Sequence, residues 1–530
     1  MKSYHMSMEK YLLICPFLFL LNPPILASPT SIYDAVFECF QNHKFPKPQI
    51  PQILYNPTNP SFQTLLQSTV RNRRFNTTAT PKPAAIIAAA AESHVTAAVI
   101  CAAAAQIPLR IRSGGHDFEG TSYVSDRPFL LLDMSGFRSI AVSPAGRTAW
   151  VDAGATLGEL YYEISKKTTG LAFPGGVCPT VAAAGHISGG GYGNLIRKYG
   201  LTVDHVIDAR VVVADGRVLD RGSMGEDLFW AIRGGGGASF CVVLAFRIRL
   251  VPVPATVTVF RVEKSSIDGG VEALYKYQQV AGKIDDGVFI RVVVSPVSVN
   301  GSVVAGTRFI GMFAGNASRV LSIMESEFPE LGLRMSDCRE MPWIESVVEW
   351  AGVNGVTSLL DRKPNSATFV KRKSDYVKNL IPKSGLESIF KKVVELRQVI
   401  ITFNPYGGAM SRIPESSTPF PHRAGNIFKI QYSVSWGKEG EVATPKYINM
   451  MRQLYSFMTP YVSQNPREAY LNYRDLDIGT MGNSGNSYEQ GKVYGLKYFK
   501  GNFDRLVKVK TEVDPNNVFR NEQSIPLPPF

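Results

Sequence analysis

The segment Phe173-Pro174-Gly175-Gly176-Val177-Cys178-Pro179-Thr180, continued by Gly185-His186-Ile187-Ser188-Gly189-Gly190-Gly191-Tyr192-Gly193, decides how this chain is read. Glycine carries no side chain, so a backbone built this way can lie directly against a flat or phosphorylated ligand. The pattern is not the dinucleotide fingerprint, whose spacing and strand–helix context are absent. Taken alone, Cys178 reads as a buried structural thiol. Upstream lies Arg112-Ser113-Gly114-Gly115-His116-Asp117. Leu109-Arg110-Ile111-Arg112 reads as a short strand running into a Gly-Gly turn whose backbone N–H groups can cradle a phosphate. His116 sits on that turn, and taken alone it is a turn residue.

Outward from these segments, Pro81 and Pro83 precede an Ala-rich stretch, 84–105, that reads as one helix. Thr156-Leu157-Gly158-Glu159 is a capping box that opens a helix stopping near Gly170. Residues 206–213 and 218–219 flank Asp215-Gly216, a hairpin turn signal. A helical turn over 227–232 leads to Gly234-Gly235-Gly236-Gly237, and 242–250 reads as a strand. In the middle region 288–294 and 303–313 are strand-like around Asn300-Gly301, 318–328 is helical, and 427–436 alternates as a strand. Strands and helices in this order suggest an antiparallel sheet with helices on one face. The tail is helical from Tyr488 to Asp514-Pro515.

A length of 530 residues allows two or three domains and a large core. The start, with Lys2, Lys10, the apolar run 11–21 and small residues at Ala27 and Ser28, reads as a secretory signal over 1–27. No later run is long enough to span a bilayer. Removal of the signal takes Cys15 with it and leaves five cysteines, so at least one has no internal partner. Cys39 and Cys101 could bridge in an oxidising compartment, where closing that loop would stabilise by roughly 4 kcal/mol. Sequons at Asn76, Asn300 and Asn316 agree with export as a glycoprotein. The formal charge of +13, about +12 without the signal, suits retention by acidic cell-wall polysaccharide or simple solubility. Nucleic acid is not expected, because no reading motif is present.

In this order and spacing, the two glycine-rich segments resemble the plant berberine bridge enzyme-like proteins. These are a branch of the vanillyl-alcohol-oxidase flavoproteins with a PCMH-type FAD-binding domain. The resemblance runs from Cys39 to Ser524-Ile525-Pro526. It implies an α+β fold: a PCMH-type FAD-binding domain at 28–255, a substrate domain with a helix-covered antiparallel sheet at 256–460, and a segment at 461–530 that returns to the first domain. It implies FAD attached covalently through His116 and Cys178. Arg112, Ser113, Gly114, Gly115, Asp117, Gly176, Val177, Gly185, His186, Gly189, Gly191, Tyr192, Gly193, Val243 and Asn517 are its further expected contacts. It also implies a Cys39–Cys101 disulfide, leaves Cys241 and Cys338 as buried thiols, and calls for no metal and a monomeric state.

A third constellation, Leu471-Asn472-Tyr473-Arg474-Asp475, completes the resemblance. Tyr473 matches the family's active-site tyrosine, and Tyr192, Lys429 and Gln431 match positions facing the substrate. Lys429 and Gln431 are two apart, so a strand places them on one face. An ammonium at Lys429 is expected to hold the Tyr473 phenol acidic enough to take a proton from a substrate hydroxyl. Gln431 and Tyr192 would orient that hydroxyl. Berberine bridge enzyme itself has a glutamate base at the position of Gln431; an amide cannot serve so, which weighs against alkaloid ring closure. Val181, three residues after Cys178, stands at the family's dioxygen gate, where valine accompanies oxidase behaviour and hydrogen peroxide as product. Ala182-Ala183-Ala184 replaces the usual glycines and could narrow that gate. The implied function is secreted FAD-dependent oxidation of an alcohol, with an allylic aromatic alcohol slightly preferred. A wall-derived oligosaccharide oxidised at its anomeric hydroxyl is the alternative, and a non-catalytic wall carbohydrate-binding protein the remaining one.

Overall fold

The computed structural model describes residues 31–363, 367–482 and 487–529; the signal segment and Cys15 lie outside them. The Ala-rich stretch divides into two elements. Residues Ala85–Ala88 form a strand and Glu92–Ala104 a helix, instead of one continuous helix. Ile86 and Ile87 are fully buried between neighbouring strands, and a short apolar run of this kind reads alike as buried strand or buried helix.

Three sheets carry the fold. The first contains β1 (Leu54–Tyr55), β2 (Ala85–Ala88), β3 (Leu109–Arg112) and β4 (Leu130–Asp133), in the order β1-β2-β4-β3 with parallel pairing at β2–β4 and β3–β4. The second contains β5 (Ile140–Ser143), β6 (Thr148–Asp152), β8 (Val206–Val212), β9 (Val218–Leu219) and β10 (Val242–Arg249), in the order β5-β6-β10-β8-β9. A short pair, β7 (Leu171–Ala172) with β11 (Val251–Pro252), flanks it. The capping box at Thr156 and Glu159 is formed and starts the helix Leu157–Lys167. A disulfide joins Cys39 on the helix Ile32–Asn42 to Cys101 on the helix Glu92–Ala104.

The third sheet is antiparallel throughout. Its strands are β12 (Val257–Ser265), β13 (Val288–Val299), β14 (Ser302–Phe313), β15 (Cys338–Met341), β16 (Phe369–Val377), β17 (Val399–Pro405) and β18 (Phe428–Trp436), in the order β15-β12-β14-β13-β17-β18-β16. Asn300 and Gly301 form the two-residue loop between β13 and β14, both at positive φ (49° and 79°), which asparagine and glycine tolerate best. Period-two alternation gives this sheet two unlike faces. Ile290, Val292, Phe403, Ile430 and Tyr432 pack into a core with helices such as Lys383–Leu396 and Thr444–Phe457. Arg291, Val293, Thr402 and Gln431 face the other way, into a cavity shared with the residues that follow β3 and β7. The helix Phe503–Val513 returns to pack on the helix Gly225–Ala231.

The sequon residues Asn76, Asn300 and Asn316 are all exposed. Asn316 uses its Oδ1 to cap the helix Ala317–Glu327, accepting the Arg319 N–H. Cys241 is buried, whereas Cys338 is only half-buried at the sheet edge and so departs from the expected buried thiol.

Candidate active site

A cavity of about 680 Å³ lies between the first two sheets and the open face of the third. One wall is the turn after β3. Gly115 there has φ +65° and packs so tightly that a Cβ would stand 1.8 Å from the Thr69 carbonyl oxygen. Among the described residues, the backbone N–H groups of Gly114, Gly115 and His116 make no hydrogen bond, which leaves a set of donors at the cavity wall. Opposite stand Gly176, Val177 and Cys178. His116 Nε2 lies 3.0 Å from Thr180 Oγ1, so the histidine turn and the cysteine turn are tied together. The other imidazole nitrogen, Nδ1, is then the one free for a bond to a ligand. Burial, aided by Arg71, lowers the His116 pKa to about 3 and keeps the ring neutral. The Cys178 thiol opens into the cavity, and burial raises its pKa against the pull of Arg291, Arg372 and Arg71.

The glycines expected to contact a cofactor divide into two kinds. Gly185 lines the cavity with nothing within 4 Å of where a Cβ would be, so it offers a bare surface to a flat group. Gly176 and Gly189 also line it. Gly191 and Gly193 do not: a Cβ would meet Thr202 Oγ1 at 1.7 Å and the Gly175 carbonyl oxygen at 1.7 Å. Their glycines are required by chain packing. His186 accepts the Gly176 N–H at 3.1 Å, and burial followed by Lys429 lowers its pKa to about 3. It shapes the turn as a neutral acceptor.

Two further expectations are corrected. Arg112 is fully buried and faces away from the cavity: its guanidinium binds Asp133 and the carbonyls of Leu65 and Leu66. Arg110, two residues earlier on β3, lines the cavity, and Arg112 does not. Asn517 occupies a left-handed turn (φ 52°) and lies outside the lining; Arg520, Asn521 and Gln523, just beyond that turn, line the cavity instead. Ser113, Asp117, Val181 and Val243 line the wall.

Tyr473 ends a one-turn 3₁₀ helix, Leu471–Tyr473, and its hydroxyl hydrogen-bonds that of Tyr192. Gln431 faces the same cavity from β18. Lys429 shares the Gln431 face of the strand but does not reach the lining. Its amine sits 3.0 Å from the ring centroid of Tyr192, 4.0 Å from that of Tyr470 and 4.9 Å from that of Tyr473. This cage differs from the expected ammonium beside a phenolate. Burial first, then Arg291, pulls the Lys429 pKa well below its ordinary value. Burial first, then Tyr192, pushes that of Tyr473 well above its own. Burial thus disfavours the charged form of each group.

Sequence reading missed Tyr470, Thr180, Arg291 and Arg372. The signal for Tyr470 was present: Tyr470-Leu471-Asn472-Tyr473 has the three-residue spacing that a 3₁₀ turn eclipses. The Tyr470 hydroxyl accepts the Gly191 N–H and the Asn472 amide, both at 3.0 Å, and fixes the cage. The two arginines come from strands far apart in the chain, so no local pattern announces them.

The cavity therefore presents free N–H donors, a bare glycine surface, a neutral imidazole and an open thiol, a set that fits a flat phosphorylated cofactor. Residues 83–222 match the family described as FAD binding domain, and residues 469–526 the family described as berberine and berberine like. Berberine bridge enzyme-like 2 of Arabidopsis thaliana is 52% identical over 529 residues, 98% of each chain. The chain belongs to the berberine bridge enzyme-like family. Its members include oxidases acting on CH–OH groups, and this chain is an FAD-linked oxidoreductase of that family. Among solved structures, berberine bridge enzyme-like 28 from Arabidopsis thaliana superposes with a TM-score of 0.86 at 45% identity, covering 90% of this chain and 98% of that one. Phl p 4, a grass pollen allergen with glucose dehydrogenase activity, gives 0.88 at 42% identity over 93% and 99%. Among the described residues, no helix is long and apolar enough to cross a membrane.

Proposed function

We propose that this berberine bridge enzyme-like protein is a secreted oxidase that holds FAD by two covalent bonds, from His116 and Cys178. It oxidises a sugar or alcohol hydroxyl at Tyr473. One observation carries the reading: both bond-forming side chains open into a single cavity whose facing wall holds the Tyr192–Tyr473 pair. FAD held there would supply a hydride acceptor for the carbon-bound hydrogen and a route for its electrons to dioxygen. Tyr473 takes the hydroxyl proton of the substrate as its own proton passes by way of the Tyr192 hydroxyl to the Lys429 amine. Gln431 and Tyr192 orient the hydroxyl. The depressed pKa of Lys429 suits this task, because burial favours the unprotonated amine that can receive the proton.

The third sheet favours the sugar reading over an allylic aromatic alcohol. Arg261, Arg291 and Arg372 line the cavity from β12, β13 and β16, and none has a carboxylate partner among the described residues. Arg291 stacks over Trp350 at 5.2 Å, and Trp350 also lines the cavity. An aromatic platform beside unpaired guanidiniums suits a substrate that carries carboxylates, such as an oligosaccharide of uronic acids. The similar pollen allergen's glucose dehydrogenase activity agrees with a sugar. Purified holoenzyme tested with coniferyl alcohol, cellobiose and oligogalacturonide should release peroxide fastest with oligogalacturonide. Arg291→Gln should raise KM for it by about tenfold with little change for cellobiose. Turnover of coniferyl alcohol alone would return the assignment to allylic alcohols.

Val181 supports dioxygen as the acceptor. It lines the cavity three residues after Cys178, and the Leu157 N–H binds its carbonyl at 2.8 Å, which holds the turn in place. Ala182 and Ala184 also line the cavity, while Ala183 points into the core. An isoleucine-to-valine variant of the pollen allergen is described as a glucose oxidase. Val181→Leu adds one methylene at this spot. It should slow reoxidation of the reduced holoenzyme by dioxygen at least tenfold while leaving anaerobic reduction by substrate within about twofold, as stopped-flow absorbance would show. Exposed sequons and the basic balance of the chain support export and retention on an acidic wall.

A further inference from the structure

We propose that a buried ion cluster centred on Lys371 is a positioning device that sets the Tyr473 hydroxyl at its working distance from the turn carrying His116. This proposal rests on the role given to Tyr473 above. Tyr473 and His116 lie on separate segments, and each is followed directly by charged residues that tie those segments together. Arg474 Nε lies 3.1 Å from Asp117 Oδ2. Asp475 receives Lys371 at 2.7 Å and Lys373 at 2.6 Å. Lys371 also pairs with Glu119, three residues beyond His116. One ammonium therefore joins the histidine turn, the tyrosine segment and the third sheet.

The strand geometry makes this possible. The alternation of β16 sends Arg372 to the cavity and Lys371 and Lys373 to the other side. Ser374 on the same strand accepts the Tyr470 N–H at 2.9 Å, a second hold on the tyrosine segment. Asn72 closes the arrangement, donating to the Phe118 carbonyl at 2.9 Å and to the Val370 carbonyl at 3.1 Å. The remaining charges are Asp477, which meets Lys373 at 2.8 Å and Arg452 at 2.5 Å, and Arg74, which lies 3.4 Å from Glu119. Burial alone would lower the Lys371 pKa, but Asp475 and Glu119 outweigh it and hold the pKa above its ordinary value.

A buried network of this kind is weak evidence for stability, since the cost of desolvating its ions offsets their attraction. What it does supply is direction: each charge accepts only one arrangement of its partners. Placement errors near 1 Å cost about 100-fold in rate, so the residues that fix this contact control the limiting rate without touching substrate.

The test uses holoenzyme carrying Lys371→Met, Lys371→Arg or Asp475→Asn, with Tyr473→Phe as reference. Lys371→Met and Asp475→Asn should keep KM within about twofold and lower the limiting rate of anaerobic flavin reduction roughly 30- to 100-fold. Lys371→Arg should recover most of the loss. A second readout needs no substrate. A phenol close to an excited flavin quenches its fluorescence, so the lifetime should lengthen in Lys371→Met towards that of Tyr473→Phe and shorten again in Lys371→Arg. If Lys371→Met does not fold, Asp475→Asn decides by both readouts. A folded variant with unchanged reduction rate and lifetime would overturn the proposal, as would an arginine variant no better than the methionine one. Failure of every substrate to reduce the unmodified holoenzyme would instead sink the functional reading, and the lifetimes would still decide this one.

Discussion

Replacing Tyr473 with phenylalanine lowers the maximal rate of substrate oxidation roughly 1,000-fold and leaves KM within a few-fold, as steady-state peroxide release would measure. The phenol is the group aimed from the 471–473 turn into the cavity, and its hydroxyl is already engaged by Tyr192. The ring remains in the phenylalanine variant, so Phe118 at 6.0 Å and Tyr470 at 5.0 Å keep their packing partner. What is lost is the oxygen that takes a proton in the transition state only, which is why the effect falls on kcat. The pH dependence has a definite sign. The amine of Lys429 must be neutral to share the proton, and burial depresses its pKa. The competent form is therefore lost as pH falls through that depressed value. An undepressed lysine would confine activity to strongly alkaline solution. Lys429→Met should remove this acidic limb and most of the rate together. An acidic limb that survives in Lys429→Met would assign the titration to another group.

Removing both His116 and Cys178 should abolish covalent flavin, whereas either single alanine variant should retain one bond. The two side chains lie on separate turns, and the His116–Thr180 contact that bridges them is kept in the cysteine variant. His116 is neutral through burial, which leaves its nitrogen lone pair available for bond formation. Cys178 opens to the cavity with Arg291, Arg372 and Arg71 favouring its thiolate against burial. Single variants should bind flavin and turn over at least tenfold more slowly, because the protein's contacts tune the electronics of the cofactor as well as its position. The double variant should yield protein from which acid extracts every flavin. Protein that is still yellow after precipitation of the double variant would point to a different attachment residue.

Much of this arrangement was legible in the chain. The Gly114-Gly115-His116 turn, the Thr156 capping box, the Asn300-Gly301 hairpin and the alternation that pairs Lys429 with Gln431 are local patterns. Local patterns survive into the fold because each is satisfied within a few residues. The division of 84–105 was not legible, since alanine and isoleucine suit a buried strand as well as a helix. Nor was the part played by Arg112: Asp133 and the carbonyls of Leu65 and Leu66, which it binds, lie on other elements. The glycines of 185–193 look alike in sequence, yet Gly185 borders open space and Gly191 borders Thr202. The largest departure concerns Lys429. Sequence placed an ammonium near a phenol; the structure surrounds the amine with three tyrosine rings, and burial disfavours the charged form of both groups. That shift depends on burial, which no spacing encodes.

The most direct test of the account is protease digestion of the acid-precipitated holoenzyme followed by mass spectrometry of the yellow peptides. The account predicts one flavin linking two peptides, one containing His116 and the other Cys178. Flavin recovered wholly in the acid supernatant, with both peptides at their unmodified masses, would contradict it.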